Sequence, residues 1–243
     1  MQATEVVPRA IILAAGRGER MRPLTDVTPK PLLQVRGKPL IEWHIEGLAA
    51  LGVREIVINT AHLEEQFVPA LGDGSRWGVR LAYSHEGRDF GGALETLGGI
   101  SRALPLLGDT FWVVAGDVFT DFWASLAADQ WVLTEGELAR IALVPNPAHN
   151  ARGDFGLSPE GRALNLPKDG GRPLYTYSTI GLYRRAFFEP PLCDVPVGNP
   201  QGIKAALAPL LRKGMDAGRV GARLHSGDWT DVGTPERLAQ LNA

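Results

Sequence analysis

The chain has 243 residues and a formal net charge of −2, with 44% of its residues hydrophobic and 21% charged. This composition is typical of a globular protein with a sizeable core, and the near-neutral charge gives no electrostatic case for nucleic acid or an anionic membrane as a partner. A single cysteine, Cys193, excludes an internal disulfide, no apolar run is long enough to cross a bilayer, and the N-terminus lacks a signal-peptide pattern, so we expect a cytoplasmic protein.

In the first half of the chain, short apolar runs alternate with helical patterns. The clearest helix covers 39–51, where apolar residues recur on one face between an initial proline and a terminating glycine. Strands are predicted at 10–13, 55–58, 79–83 and 111–115, and weaker helices at 63–71 and 93–104. This alternation predicts an α/β fold with a mainly parallel, Rossmann-like sheet sandwiched by helices.

In the second half, apolar runs are separated by turns rich in glycine and proline. Strands are predicted at 141–144, 162–165 and 174–183, a loop at 190–200 and a helix at about 201–212. No linker or repeat divides the chain, so we expect one domain over 1–243.

The segment 13–31, LAAGRGERMRPLTDVTPKP, follows the first predicted strand and combines glycines with cations. Glycine lets a backbone approach a polyphosphate closely, and successive N–H groups can then point at its oxygens. Met21 occupies the place of the third glycine in the dinucleotide fingerprint, and Met21-Arg22-Pro23 stands where the P-loop needs Gly-Lys-Ser/Thr. The segment therefore predicts a nucleotide substrate and disfavours an NAD-dependent oxidoreductase.

Two cations and one carboxylate stand out as chemical groups. The planar fork of Arg20 suits two phosphate oxygens, and Lys30 lies between two prolines that stiffen the backbone around it. Asp117 directly follows the buried run FWVVAG, where a carboxylate is costly unless it has a cation partner. Magnesium fits such a position because it takes one or two carboxylates together with substrate phosphates.

The full string resembles the signature of the sugar-1-phosphate nucleotidyltransferases. Together with SHEG, RGDF and WTDVGT, it is most similar to the N-acetylmuramate 1-phosphate uridylyltransferases of bacterial cell-wall recycling. The resemblance implies transfer of a uridylyl group from UTP to the sugar 1-phosphate, with release of pyrophosphate. It also implies a nucleotide-binding half, about 1–121, and a sugar-binding half with a smaller β subregion, about 122–243, which contributes a second metal ligand.

The resemblance also assigns roles to residues. Arg20 and Lys30 are expected to be catalytic, and Asp117 and Asp231 to hold Mg²⁺, with Asp228 as the nearby competitor of Asp231. The expected nucleotide-binding residues are Leu13, Ala14, Ala15, Gly16, Gly18, Glu95, Thr96, Gly98 and Gly99. The expected sugar-binding residues are Ala115, Asp154, Asn146 and Thr179.

Several points stay open. Glu86 is equally a base contact or a loop carboxylate, and Lys204 either reaches a phosphate or is solvated. Leu97 replaces a glycine of the closest family members, and Ala115 replaces an asparagine, which bears on base and sugar specificity. The five histidines lack metal-ligand spacing and are interpreted as structural or surface residues.

Two other functions compete with this assignment. Within the family, a mannose-1-phosphate guanylyltransferase shares most of the motifs. From a different class, the chain would be a regulatory protein that binds a nucleotide without catalysis, which the quartet Arg20, Lys30, Asp117 and Asp231 disfavours. We expect small-molecule substrates and a monomer or small homo-oligomer. Because the chain ends soon after the Asp231 motif, we expect no acetyltransferase activity in addition to nucleotidyl transfer.

Overall fold

The computed structural model describes residues 8–126 and 131–243. Residues 1–7, on which part of the signal-peptide prediction rests, and residues 127–130 lie outside the described part. The strands are β1 (Arg9–Leu13), β2 (Gln34–Val35), β3 (Lys38–Pro39), β4 (Glu55–Thr60), β5 (Arg80–His85), β6 (Thr110–Ala115), β7 (Val118–Thr120), β8 (Ala139–Val144), β9 (Gly156–Leu157), β10 (Ala163–Leu164), β11 (Thr176–Arg184), β12 (Val220–Leu224) and β13 (Trp229–Asp231). The helices are α1 (Leu40–Ala50), α2 (Phe67–Leu71), α3 (Glu86–Phe90), α4 (Glu95–Ala103), α5 (Leu207–Asp216) and α6 (Pro235–Leu241). None of the helices in the described ranges is long and apolar enough to cross a membrane.

A seven-stranded sheet in the order β12-β8-β11-β6-β1-β4-β5 forms the centre of the molecule. β1 pairs in parallel with β4 and β6, β4 pairs in parallel with β5, and β12 pairs in parallel with β8. Only β11 runs against its neighbours β6 and β8. The expected mainly parallel sheet is confirmed, and the carboxyl ends of β1, β4 and β6 lie at one edge.

The two faces of the sheet are both buried. Because side chains alternate along a strand, Ala10 and Ile12 of β1 pack into one core cluster and Ile11 into the cluster on the other face. The first cluster includes Ile41 and Ile45 of α1, which is the amphipathic helix that the sequence predicts. Burial on both faces explains why the strand sequences are almost continuously apolar.

The predicted helix at 201–212 is wrong in its first half. The structure has α5 begin at Leu207, and the preceding segment runs along the start of α4. Ala205 donates its N–H to the Leu94 carbonyl (3.1 Å) and accepts from the Leu97 N–H (2.9 Å). Gly202 has φ +66°, a left-handed conformation that prevents a helix from running through this residue.

Several short elements were not predicted, and two predicted ones are shorter. The strand expected at 162–165 is the two-residue β10, and the helix expected at 63–71 begins as α2 at Phe67. The unpredicted β13 pairs antiparallel with β7, and β12 adds an edge strand to the sheet. These strands are short and only partly apolar, so their periodicity is weak.

Candidate active site

A cleft of about 590 Å³ opens at the edge of the sheet where β1 and β6 end. On the side of β1 it is lined by the predicted residues Leu13, Ala14, Ala15, Gly16, Gly18 and Lys30. Its further predicted lining residues are Glu95, Thr96, Ala115, Asp117, Asp154 and Thr179. The structure therefore brings most of the residues singled out in the sequence into one cavity, at the place where ligands of parallel sheets bind.

The glycine-rich loop after β1 leaves its backbone open to this cleft. A Cβ atom on Gly16 would meet nothing within 4 Å, which leaves room for a ligand to approach the main chain. Gly18 has φ +67°, and a Cβ there would lie 3.1 Å from Thr25 Cγ2. The Thr25 hydroxyl donates to the Gly18 carbonyl at 2.9 Å and so holds the turn. The loop is thus a rigid, open cradle of the kind that suits a phosphate chain.

Lys30 and Asp117 form an ion pair in the wall of the cleft. Lys30 is only 7% exposed, and its Nζ lies 2.7 Å from Asp117 Oδ2. Gly116 permits this approach because a Cβ on it would lie 3.1 Å from the Leu13 carbonyl oxygen and 3.4 Å from Pro31 Cβ. Burial makes the charge of Lys30 depend on this partner, since an isolated charge in its position would be costly, whereas the Asp117 side chain is 41% exposed and remains accessible from the cleft.

Asp231 reaches the same region through strand pairing. In the β7–β13 pair it stands opposite Val118, the neighbour of Asp117, and the Val232 N–H donates to the Asp117 carbonyl at 2.8 Å. Its Oδ1 accepts from Arg237 and lies 2.8 Å from His149 Nε2. The two aspartates are thus brought together from positions more than a hundred residues apart in the sequence.

Arg20 lies beside this aspartate, in a small cavity that adjoins the main cleft. Gly18, Lys30 and Asp117 line both cavities, and Arg20 and Gly233 line only the smaller one. A Cβ on Gly233 would meet Asp231 Oδ2 at 2.8 Å and an Arg20 guanidinium nitrogen at 3.2 Å. Arg20 itself is exposed, so its guanidinium can meet a ligand at the cleft entrance.

The two aspartates have the right chemistry for a divalent cation. The interactions above engage Oδ2 of Asp117 and Oδ1 of Asp231, and the other oxygen of each has no hydrogen-bond partner among the described residues. Within those residues, no group of three or more His, Cys, Asp or Glu side chains is placed to hold a metal ion. Two carboxylates suit Mg²⁺, which completes its shell with water and phosphate oxygens.

A buried polar network joins the phosphate loop to the segment expected to bind the base. Asn59, at the end of β4, accepts from the Ala14 N–H at 2.8 Å and donates to Glu86 Oε1 at 2.7 Å. Glu86 Oε2 accepts from the Leu94 N–H at 2.7 Å. Glu86 is 0% exposed, and burial raises the pKa of its carboxyl, while the Leu94 N–H and the Asn59 amide oppose that shift. The structure shows Glu86 as a buried carboxylate at the start of α3, outside the lining of the cleft, and not as a loop residue.

Two of the five non-glycine residues with a positive φ in the described part of the chain lie at the cleft. Glu95 has φ +60° and Thr179 has φ +64°, and both line the cavity. A positive φ is rare for a β-branched residue such as Thr179, and such strain is often found at functional sites. Thr179 lies in an irregularity of the β8–β11 pairing, where Trp229 Nε1 donates to the Ser178 carbonyl at 3.0 Å. The strand that carries Asp231 therefore also supports this turn.

The far end of the cleft is formed by β11, the segment before β9, and α5. Asp154 Oδ2 accepts from the Tyr177 N–H at 3.0 Å and from Asn150 Nδ2 at 3.1 Å, which fixes the carboxylate at the cavity wall. Phe155, Tyr177 and Arg212 line this end as well. The sequence reasoning missed all three of these residues.

Besides Arg20, four predicted residues are absent from the walls of the cleft, and none of the four lines the smaller cavity: Gly98, Gly99, Asn146 and Asp231. Gly98 and Gly99 face the interior, since a Cβ on Gly98 would lie 2.4 Å from the Ile203 carbonyl oxygen and one on Gly99 would lie 2.6 Å from Glu86 Oε1. Their lack of a side chain lets α4 pack closely. Asn146 is used in loop structure, because it donates to the Leu174 carbonyl (2.9 Å) and accepts from the Thr176 hydroxyl (3.0 Å).

The structure also places Lys204 and Asp228. Lys204 is exposed and precedes α5, and the Asp228 carbonyl accepts from the Thr120 hydroxyl at 2.7 Å. The structural assignment of the histidines holds for His44, whose Nε2 donates to the Val118 carbonyl at 2.7 Å and whose pKa burial lowers to about 4. His149 differs, because it contacts Asp231.

Some of the missed residues had a signal in the sequence. Asn59 directly follows the predicted strand at 55–58, and a polar residue at the carboxyl end of a parallel strand is a candidate for the ligand site. His149 and Arg237 had none, because their role depends on where Asp231 lies. Arg212 stands at the end of the predicted helix 201–212, whose start is wrong, so the sequence did not predict which way the Arg212 side chain points.

The comparisons with known proteins agree with this geometry. The model of the nucleotidyl transferase family matches residues 9–243. The chain is 50% identical, over 97% of both chains, to an N-acetylmuramate alpha-1-phosphate uridylyltransferase of Neisseria meningitidis serogroup B. It is 31% identical to a UTP–glucose-1-phosphate uridylyltransferase of Synechocystis, over 93% of this chain and 60% of that protein.

The fold is shared with solved structures. A crystal structure from Bacillus anthracis, of a protein classed as a glucose-1-phosphate thymidylyltransferase, superimposes with a TM-score of 0.74 at 23% identity, over 96% of this chain and 93% of that one. The family match covers nearly the whole described chain, and both the phosphate loop and the carboxylate pair lie within it. The chain therefore belongs to the nucleotidyl transferase family.

Proposed function

We propose that this protein transfers a uridylyl group from UTP to N-acetylmuramate 1-phosphate and releases pyrophosphate. The observation that carries the proposal is the Lys30–Asp117 pair beside Asp231, at the open end of a glycine-rich loop. The identity with the Neisseria meningitidis enzyme over nearly the whole of both chains supports the choice of base and sugar. A product of this kind would serve peptidoglycan recycling, and UTP would be drawn from the cytoplasm.

In this reaction an oxygen of the sugar phosphate attacks the α-phosphorus of UTP. A new P–O bond forms, and the bond to the bridging oxygen of pyrophosphate breaks. Such a transfer needs positioning and positive charge more than covalent help from the protein. Arg20 would bind oxygens of the leaving pyrophosphate from the entrance, and Lys30 would bind the transferring phosphate from inside the wall. The open backbone at Gly16 would take further phosphate oxygens.

Asp117 and Asp231 would hold Mg²⁺ through their free oxygens. When bound, the ion neutralises phosphate charge and aligns the oxygens of the triphosphate. Lys30 would also neutralise Asp117, with which it forms an ion pair. Arg237 and His149 would hold the Asp231 carboxylate in a fixed orientation from the opposite side.

Binding of the two substrates would follow the two ends of the cleft. Glu95 and Thr96 at the start of α4 would contact the nucleotide, and Asp154, Thr179 and Ala115 the sugar. Since Ala115 carries no hydrogen-bonding group in its side chain, sugar recognition would depend on the other polar groups at this end.

The test is pyrophosphate release with UTP and N-acetylmuramate 1-phosphate, run beside GTP with mannose 1-phosphate, each with Mg²⁺ and with a chelator. We expect release with the first pair only, and only with Mg²⁺. Release with the second pair alone would establish the guanylyltransferase alternative. Nucleotide binding without release from any pair would favour the non-catalytic regulatory class.

A further inference from the structure

Arg212 places a positive charge at the sugar end of the cleft that the protein itself does not neutralise. It lies on α5, lines the cavity and is half-buried. Its guanidinium forms no ion pair with a carboxylate among the described residues; its partners are the Asn165 side-chain oxygen at 2.7 Å and the Phe155 ring, 5.0 Å from the centroid. Lys30, the other cation in the wall of this cleft, is by contrast already paired.

The surroundings hold Arg212 in place without neutralising it. Asn165 Nδ2 donates to both carboxylate oxygens of Asp216, at 3.0 and 3.1 Å, so its amide oxygen faces the guanidinium. The neutral amide therefore separates the carboxylate of Asp216 from the cation. The Phe155 ring adds a cation–π contact, which also leaves the formal charge in place.

A guanidinium held in this way is suited to a second anion besides the phosphates. Desolvating an unpaired charge is costly, and a ligand carboxylate would relieve that cost by a bidentate pair with the planar fork. The helix that carries Arg212, α5, packs against β10 and β12 as well as against α4. Asp117 follows β6, and β12 lies three positions away from β6 in the order of the sheet.

N-acetylmuramate 1-phosphate carries two anionic groups in different places. Its phosphate is at C1, and the carboxylate of its lactyl ether is at C3. We propose that Arg212 binds this lactyl carboxylate and thereby selects N-acetylmuramate over sugar 1-phosphates without an acid group. Asn165 is the positioning residue that keeps the guanidinium directed at the cleft. This assignment rests on the proposed function, because it presupposes the acidic sugar.

The experiment compares two substrates that differ only in the lactyl group. Wild type, Arg212→Met and Arg212→Lys are assayed with UTP against N-acetylmuramate 1-phosphate and against N-acetylglucosamine 1-phosphate. Lys213→Met is the matched control, since Lys213 is exposed on the same helix and donates to the Pro191 and Leu192 carbonyls.

We expect Arg212→Met to raise KM for N-acetylmuramate 1-phosphate by about 10- to 100-fold with little change in kcat, because one charge-assisted contact is lost. The KM for N-acetylglucosamine 1-phosphate should be unchanged in the same variant. Arg212→Lys should fall between wild type and Arg212→Met, because it keeps the charge but not the fork. Lys213→Met should match wild type with both substrates.

A second variant keeps the test independent of folding defects in Arg212→Met. Combining Asn165→Asp with Asp216→Asn gives Arg212 a permanent carboxylate partner without setting two carboxylates against each other, so the same selective rise in KM is expected. Equal losses with both sugars, or no loss, would overturn the role of Arg212 while the proposed function stands. A wild-type protein that turns over N-acetylglucosamine 1-phosphate but not N-acetylmuramate 1-phosphate would overturn the proposed function and this assignment with it.

Discussion

Replacing Asn59 with alanine tests the buried network that joins the phosphate loop to the base-binding segment. Asn59 is 2% exposed and satisfies two buried groups, the Ala14 N–H and Glu86 Oε1. Asn59→Ala leaves both without a partner. An unpaired buried N–H costs about 1–3 kcal/mol, and a lost hydrogen bond to a carboxylate costs a similar amount.

The two costs do not add in full, because Asn59 borders the cleft and water can reach part of the space that its side chain leaves. We therefore expect the free energy of unfolding to fall by about 3 kcal/mol. For a chain of this size, that corresponds to a drop in Tm of roughly 6–12 °C. Because Ala14 also lines the cleft, we expect KM for UTP to rise in the same variant.

Urea unfolding and thermal unfolding measure the stability, and initial rates with varied UTP measure the binding. Asn59→Asp is the companion variant, since it keeps an acceptor for Ala14 but sets a second carboxylate against Glu86. Its deficit should shrink as the pH is lowered and one carboxyl becomes protonated. A free energy of unfolding within about 1 kcal/mol of wild type for Asn59→Ala would refute the reasoning, because water would then replace both contacts.

Three further variants test other parts of the site. Asp117→Asn should lower kcat by at least about 100-fold while the protein still folds, and a near-normal rate at saturating Mg²⁺ would contradict the metal assignment. Arg20→Ala should lower kcat by about 100-fold with KM for the sugar phosphate unchanged; weaker sugar binding at normal kcat would contradict its role. His44 has its pKa lowered from 6.5 to about 4 by burial, so the folded state binds its proton less readily than the unfolded chain. The contribution of His44 to the free energy of unfolding is fully present above about pH 6.5 and decreases by about 3 kcal/mol as the pH falls to about 4. His44→Gln should remove this part of the pH dependence of the free energy of unfolding. An unchanged pH dependence in the variant would contradict the reasoning.

Local patterns in the sequence were sufficient to predict four of the parallel strands of the sheet, β1, β4, β5 and β6. The runs that became β1, β4, β5 and β6 are apolar because both faces of the sheet are covered, so burial is encoded in each strand separately. The segment that resembles the family signature lies directly after β1. The strand therefore determines where that loop is, and the position of Gly16, Gly18 and Lys30 at the cleft follows.

The sequence was less informative where an element depends on a distant partner. The start of α5 is determined by Ala205, which bonds to Leu94 and Leu97 about a hundred residues earlier. Helical periodicity alone extended this helix back to 201. Likewise, Gly98 and Gly99 are predicted to lie beside the nucleotide, and the structure shows that their lack of a side chain lets α4 approach Glu86 and the segment before α5.

The sequence by itself thus determined the fold class, the phosphate loop and the identity of the candidate chemical groups, because each of these depends on residues close together in the chain. Only the tertiary structure decided which groups meet. The β7–β13 pairing sets Asp231 beside Asp117, and the packing of α5 turns Arg212 into the cleft. Such contacts arise from strand register and core packing between distant segments, and the energies that select them leave no periodic pattern in the local sequence.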